Sequence, residues 1–136
     1  MSSSSVLPQP SQESIIFEDE KLYVALALFP LTRGHTVIVW KGDAPDLRVL
    51  TDKEYDYLMA IVDVARDSLL TVLQVEKVYL FYMDEVKQVH WHLVPRYNEK
   101  GFNVFAHEPQ QNDDFSLAIS LRDAFAARYA VRRFDM

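Results

Sequence analysis

Two apolar runs with β-strand character lie close together in the second half of the chain. KVYLFYM occupies residues 77–83 and QVHWHLV occupies residues 88–94, so only four residues separate them. Parallel strands need a crossover of roughly a dozen residues or more, whereas antiparallel strands need only a short turn. The spacing therefore predicts an antiparallel hairpin. Pro95 is expected to end its second strand, because proline has no backbone donor.

The remaining segments predict helices and strands in a definite order. Thr51 and Glu54 have the spacing of a capping box, and an apolar stripe at helical spacing follows, so we predict a helix over 52–73. A second amphipathic pattern predicts a helix over 115–129. Further strands are predicted at 14–18, 21–28 and 35–41. The order β-β-β-α-β-β-α favours an α+β fold on a mostly antiparallel sheet over a doubly wound parallel sheet.

Composition narrows the class of protein. The 136 residues suit one domain, and 49% of them are apolar. A net charge of −6 weighs against a nucleic-acid partner but allows a local site for a small phosphorylated ligand. The absence of cysteine excludes disulfides and thiolate metal sites, and a cytoplasmic protein is expected. No apolar run is long enough to cross a membrane, and residues 1–13 predict a flexible leader rather than a secretory signal.

The run at 88–94 carries two of the four histidines. Side chains alternate between the faces of a strand, so Gln88, His90 and His92 share one face. Val89 and Trp91 lie on the other face, which we expect to be the core side. The two imidazoles are then about 6.5–7 Å apart along the strand.

Three interpretations of this histidine pair remain open from the residues alone. The rings could be structural or solvated. They could bind a metal, with His35 on a neighbouring strand as a third ligand, because zinc needs a third histidine or a carboxylate. They could carry phosphoryl chemistry, in which one imidazole attacks phosphorus and the other assists the leaving oxygen. Histidine suits that chemistry because its pKa of about 6.5 makes both protonation states accessible near neutral pH.

QVHWHLVPR at 88–96 resembles the signature strand of the histidine triad (HIT) family, in which three histidines alternate with apolar residues. FPLTRGHTVIVWK at 29–41 resembles the family's loop and following strand, and the likeness covers roughly residues 14–105. The resemblance implies a single HIT-like domain over 14–136 with one long central helix and a C-terminal helix. It also implies a homodimer that binds a small-molecule nucleotide, with no nucleic-acid or membrane partner.

The resemblance also implies roles for individual residues. A HIT-like hydrolase or nucleotidyl transferase acts at the α-phosphate through a nucleotidyl-histidine intermediate. By position the nucleophile is His90, and His92 binds phosphate and protonates the leaving group. Gln88, His35 and Arg96 are the expected phosphate- or nucleotide-binding residues. No metal and no other cofactor is required, although Mg²⁺ bound to the substrate phosphate could assist.

The sequence departs from the family pattern in three places. Gln88 replaces the first histidine of the triad. The connection at 84–87 has no glycine, and residues 25–28 offer no polar group for a ribose. Each lost contact costs about 1.5–3 kcal/mol of binding free energy. The alternative is therefore a nucleotide-binding or interaction module that has the HIT fold and weak or no catalysis.

Overall fold

The computed structural model describes residues 7–84, 86–132 and 134. It is an α+β fold, as predicted, with five antiparallel strands in the order β1-β2-β3-β5-β4. The strands are β1 Ile15–Glu18, β2 Leu22–Leu26, β3 Thr36–Trp40, β4 Lys77–Phe81 and β5 His90–Arg96. The helices are α1 Asp52–Leu73 and α2 Leu117–Val131, and short 3₁₀ turns lie at Gln12–Ser14, Leu47–Val49 and Gly101–Ala106.

The predicted hairpin is confirmed, because β4 and β5 pair antiparallel. The prediction that Pro95 ends its strand is wrong, since β5 continues to Arg96 and Pro95 lies opposite Val78. The pairing of β5 with β3 stops at Leu93. Beyond that residue only β4 flanks the strand, so the missing N–H of Pro95 leaves no partner on β3 unsatisfied. Proline is tolerated at such one-sided positions.

Helix α1 has the predicted bounds, and its start is fixed by the predicted capping box. The Thr51 hydroxyl accepts from the Glu54 amide, and the Glu54 carboxylate accepts from the Thr51 amide. Together these contacts satisfy two donors that a helix start leaves free. At the other end Gln74 adopts a left-handed backbone with φ of 54°, which closes the helix. The apolar stripe is buried inside the domain, with Leu58 and Ile61 fully inaccessible.

Helix α2 begins and ends two residues later than predicted. It packs on α1 through apolar side chains and through a group of ion pairs. Arg128 Nε donates to Asp67 Oδ2 at 2.6 Å, and the Arg132 guanidinium pairs with Asp63. These charges are partly exposed, so their main contribution is to orient the helix rather than to stabilise the fold.

Both helices cover the same face of the sheet. Leu22, Val24, Ile38 and Leu93 alternate along the strands and pack with the helices in one core. Because side chains alternate across a strand, the intervening residues point to the opposite face. The histidines of β5 therefore project away from the helical layer, as the sequence predicts.

The predicted leader lies partly outside the described residues, since residues 1–6 are not described. From Leu7 to Ser11 the chain runs along the face of the sheet opposite the helices, where it lines a cavity. Arg122 of α2 anchors the next segment, because its Nε donates to the Ile15 carbonyl oxygen at 2.7 Å. No helix in the described part of the chain is both long and apolar enough to span a bilayer.

Candidate active site

A cavity of about 160 Å³ opens on the sheet face that the helices leave free. Its floor is formed by β2, β3 and β5, and residues 7–11 form one wall. The register of β3 and β5 places their side chains in two rows across this floor. Val39 lies opposite His90, and Val37 lies opposite His92, so both imidazoles border the cavity beside apolar neighbours.

His90 is held in one orientation by the backbone of its own strand. Its Nδ1 lies 2.8 Å from the carbonyl oxygen of Gln88, which can only accept a hydrogen bond. The neutral ring therefore carries its proton on Nδ1, and the lone pair is on Nε2. Because the partner is a backbone group, the replacement of histidine by glutamine at position 88 leaves this arrangement intact.

The loop before β3 places His35 beside the same cavity. Gly34 has φ of +89°, a conformation that favours glycine, and a Cβ atom there would lie 2.7 Å from a Leu73 methyl group. A larger residue would be strained and would collide with α1. The backbone N–H of Leu31 donates to His35 Nδ1 at 3.0 Å. His35 therefore carries its own proton on Nε2.

His35 in turn determines the tautomer of His92. The Nε2 atom of His35 lies 3.0 Å from Nδ1 of His92. Since His35 Nε2 is the donor, His92 Nδ1 accepts, and the remaining proton of His92 is on Nε2. The site thus combines a lone pair on His90 with an N–H donor on His92.

Burial keeps two of these rings uncharged. Loss of solvation lowers the pKa of His35 to about 3, and repulsion from His92 adds to the shift. Burial also lowers the pKa of His92 to about 4, with a smaller contribution from His90. Both rings are therefore neutral at pH 7 in the free protein, and His92 acts there as a neutral hydrogen-bond donor.

Phe81 supports His92 from the neighbouring strand. The two residues are opposite each other in the register of β4 and β5, and their rings stack with centroids 4.6 Å apart and an interplanar angle of 12°. Phe105 packs edge-on against Phe81. This aromatic contact restricts the rotation of His92. It could not be predicted from the sequence, because the register between two strands is not visible in a single sequence.

Two of the predicted phosphate-binding residues do not line this cavity. The Gln88 amide nitrogen is buried and donates to the carbonyl oxygens of Trp40 and Gly42. Arg96 borders a different surface cavity and lies 3.7 Å from a carboxylate oxygen of Glu76. The Gln88 side chain therefore connects the start of β5 to the end of β3. Its main-chain oxygen, by contrast, orients His90. His35, His90 and His92 are brought together as expected.

Other cavity residues were not singled out from the sequence. Val37 and Val39 could have been found, because they follow His35 at the two-residue period of a strand. Ala25 reaches the cavity through the pairing of β2 with β3. The contribution of residues 7–11 had no sequence signal.

The metal interpretation receives no support from this geometry. Over residues 7–84, 86–132 and 134, no group of three or more histidine, aspartate or glutamate side chains is placed to hold a metal ion.

The fold and the histidine cluster define a HIT protein. The family model described as the HIT domain matches residues 9–99, which is more than half of the chain, so this chain belongs to the HIT family. No curated protein sequence matches the chain.

Several solved structures have a similar fold. A Zn-bound histidine triad family protein from Mycobacterium smegmatis is 23% identical, with a TM-score of 0.69 over 87% of each chain. A histidine triad protein from Marinobacter aquaeolei VT8 is 14% identical, with a TM-score of 0.70 over 83% of this chain and 88% of the other. A hypothetical histidine triad nucleotide-binding protein from Sulfolobus tokodaii strain7 is 15% identical, with a TM-score of 0.63 over 86% of this chain and 83% of the other. At these identities the likeness establishes the fold alone.

Proposed function

We propose that this chain is a hydrolase or nucleotidyl transferase that attacks the α-phosphorus of a small nucleotide through His90. One observation carries the proposal. The 2.8 Å contact between His90 Nδ1 and the Gln88 carbonyl oxygen leaves the lone pair of Nε2 available at the cavity. An imidazole held in one orientation, with its Nε2 lone pair free, is a competent nucleophile. Membership of the HIT family supports a nucleotide as the substrate.

The reaction proceeds in two displacements. In the first, a bond forms between His90 Nε2 and phosphorus, and the bond from phosphorus to the leaving group breaks. In the second, a water oxygen, or the hydroxyl of an acceptor, displaces His90 from phosphorus. The second step releases the nucleotide and returns the imidazole to its neutral form. Division into two steps lowers the barrier of each one.

His92 assists through its Nε2 proton. In the free protein it is neutral because burial holds its pKa near 4. It therefore donates a hydrogen bond to a phosphate oxygen or to the leaving atom on binding. A bound phosphate anion raises the pKa of a neighbouring histidine, so His92 takes up a second proton when the substrate binds. That proton passes to the leaving group in the first displacement, and His92 recovers a proton from the attacking water or hydroxyl in the second. No cofactor takes part in these steps, and Mg²⁺ on the substrate phosphate is an optional aid.

The covalent intermediate is the direct test. The protein is incubated with adenosine 5′-phosphoramidate that carries a radioactive phosphorus, and is then quenched in base. We expect label in an acid-labile, base-stable linkage to His90, together with release of AMP. His90→Asn retains a donor toward the Gln88 carbonyl and removes the nucleophile, so label should disappear and turnover should fall by at least about 10³-fold.

His107→Asn is the matched control for that experiment. His107 is exposed and pairs with Glu99, with 2.7 Å between Nε2 and the carboxylate. Its replacement should leave labelling and turnover unchanged. Undiminished turnover in the His90 variant would contradict the mechanism.

A second candidate is a nucleotide-binding module without catalysis. The favouring observation is that no lysine or arginine lines the described cavity, while His35 and His92 are neutral at pH 7. Electrostatic stabilisation of a transition state is usually the largest contribution to catalysis, and few donors are available here. A protein of this kind would show thermal stabilisation by nucleotides, with neither product nor label on His90.

A further inference from the structure

The lining of the cavity is mostly apolar. Apart from the three histidines it is formed almost entirely by hydrocarbon, and the described lining includes no aspartate, glutamate, asparagine, lysine or arginine. Much of the floor is made by small or branched apolar side chains on β2, on β3 and just after β2, namely Ala25, Ala27, Val37 and Val39. Leu7 and Pro10 contribute the same kind of surface from the N-terminal segment.

The lining contains few polar side chains, and some of them are already hydrogen-bonded within the protein. The Ser14 hydroxyl donates to the Ser11 carbonyl oxygen at 2.8 Å. His35 is hydrogen-bonded to Leu31 and His92 through its two nitrogens. Gln9 brings the single amide side chain of the lining and Ser11 a hydroxyl, and both lie on the exposed N-terminal segment. Tyr23 of β2 brings one further hydroxyl.

A site selects a hydroxyl-bearing ligand by offering it fixed acceptors. A site built to hydrogen-bond a hydroxyl discriminates against an analogue without it by about 10⁴-fold or more, whereas an apolar pocket gains nothing from an added hydroxyl. The floor described above offers the two hydroxyls of a ribose no fixed acceptor. Binding energy at this position therefore comes from apolar contact.

Size gives a second constraint. The cavity measures about 160 Å³. An engineered cavity of about 150 Å³ lined by apolar side chains holds benzene. The cavity therefore fits one six-membered ring, and the remainder of a nucleoside would lie at its mouth.

We propose that this site recognises the organic group of its substrate mainly by apolar contact. The substrates it takes are phosphate esters and phosphoramidates of a compact aromatic group, and ribose hydroxyls contribute nothing to their selection. This inference rests on the proposed function for the chemistry at His90. The recognition itself is a property of the cavity and can be measured without turnover.

The test compares the binding of three monophosphates by isothermal titration calorimetry at one salt concentration. We expect 2′,3′-dideoxyadenosine monophosphate to bind at least as tightly as AMP, and phenyl phosphate to bind within about tenfold of AMP. AMP binding tenfold or more tightly than its dideoxy analogue would overturn the inference. Failure of all three to bind at millimolar concentration would overturn it as well.

Two variants connect the result to the cavity floor. Val37→Thr conserves shape and adds a hydroxyl to the apolar floor, so phenyl phosphate should bind about three- to tenfold more weakly. Val49→Thr makes the same change at an exposed position away from the cavity, and binding should be unchanged. Equal affinities in the two variants would show that the ring does not occupy the floor.

Activity separates this inference from the proposed function. If the monophosphates bind with the expected ratios but no phosphoramidate is hydrolysed, the proposed function fails and the recognition stands. If adenosine 5′-phosphoramidate is hydrolysed but its dideoxy analogue is hydrolysed at least tenfold more slowly, the proposed function is supported and the inference about recognition is wrong.

Discussion

The Nε2 atom of His35 lies 3.0 Å from the Nδ1 atom of His92, and the backbone N–H of Leu31 determines which of these nitrogens bears the proton. A main-chain amide of the loop before β3 therefore controls the tautomer of a ring on β5. Only this tautomer presents an N–H of His92 to a bound phosphate.

Replacement of His35 should disturb His92 rather than the fold of the sheet. In His35→Ala, His92 loses the donor at Nδ1 and can adopt either tautomer. We expect kcat to fall about ten- to a hundredfold with a smaller change in KM, because a catalytic donor is misaligned rather than lost. ¹⁵N spectra of the histidine rings should show mixed tautomers for His92 in the variant. A single unchanged tautomer for His92 would contradict this account.

Stability should decrease in mild acid. The folded pKa values of His35 and His92 lie near 3 and 4, below the unfolded value of 6.5, so the unfolded chain binds more protons at any pH between these values. Their contribution is complete above pH 6.5 and decreases as the pH falls below that value. It is fully lost once the pH has fallen through about 4 for His92 and about 3 for His35.

Urea titrations of the wild type and His35→Gln at pH 7, 6, 5 and 4 isolate the contribution of His35. The free energy of unfolding should fall less steeply with decreasing pH in the variant, by up to about 1.4 kcal/mol per pH unit. Carboxylates titrate in both proteins and cancel in the difference. Parallel pH profiles would show that His35 is not held neutral by the fold.

Removal of the Gln88 amide should affect stability more than catalysis. In Gln88→Ala the carbonyl oxygens of Trp40 and Gly42 lose a buried donor, which should cost about 1–3 kcal/mol of unfolding free energy. The oxygen that orients His90 belongs to the main chain and is retained, so kcat should stay within about threefold. Gln111→Ala, at an exposed position, is the control and should change neither quantity. A large loss of kcat in a stable Gln88 variant would assign the amide to the substrate instead.

We propose that the protein is a homodimer that associates through the exposed edge of β4. This strand is the last in the sheet order, and Leu80 on it is 40% exposed. Unpaired edge strands readily pair with another chain. Sedimentation velocity should therefore give twice the mass of the chain, and Leu80→Glu should shift it to the monomer. Val131→Glu, on the exposed side of α2, should leave the dimer intact.

The local elements of this fold could be predicted because their signals are local. The bounds of α1 follow from Thr51, Glu54 and the apolar stripe after them, and the β4–β5 hairpin follows from a four-residue gap. The shared face of His90 and His92 follows from strand geometry alone. Each of these inferences requires only residues that are close in sequence.

The parts that sequence analysis missed depend on contacts between distant segments. The Gln88 amide is bound by carbonyl groups more than forty residues away. Phe81 reaches His92 only through the register of two strands. Arg96 shares a face with the histidines by alternation, yet it lies beyond the end of the β3 pairing and borders another cavity. The pairing of the strands and their exact register set all three outcomes, and a single sequence does not display either.

The alternation of side chains between the two faces of β5 also determines where the rings of His90 and His92 lie. Leu93 and Trp91 occupy the positions between and beside the two imidazoles, and Leu93 is fully enclosed beneath the helices. A shift of this strand by one residue would remove Leu93 from the core beneath the helices and would place His92 there instead. Burial of Leu93 therefore sets the register of β5. The same register places the nitrogens of His90 and His92 at the cavity.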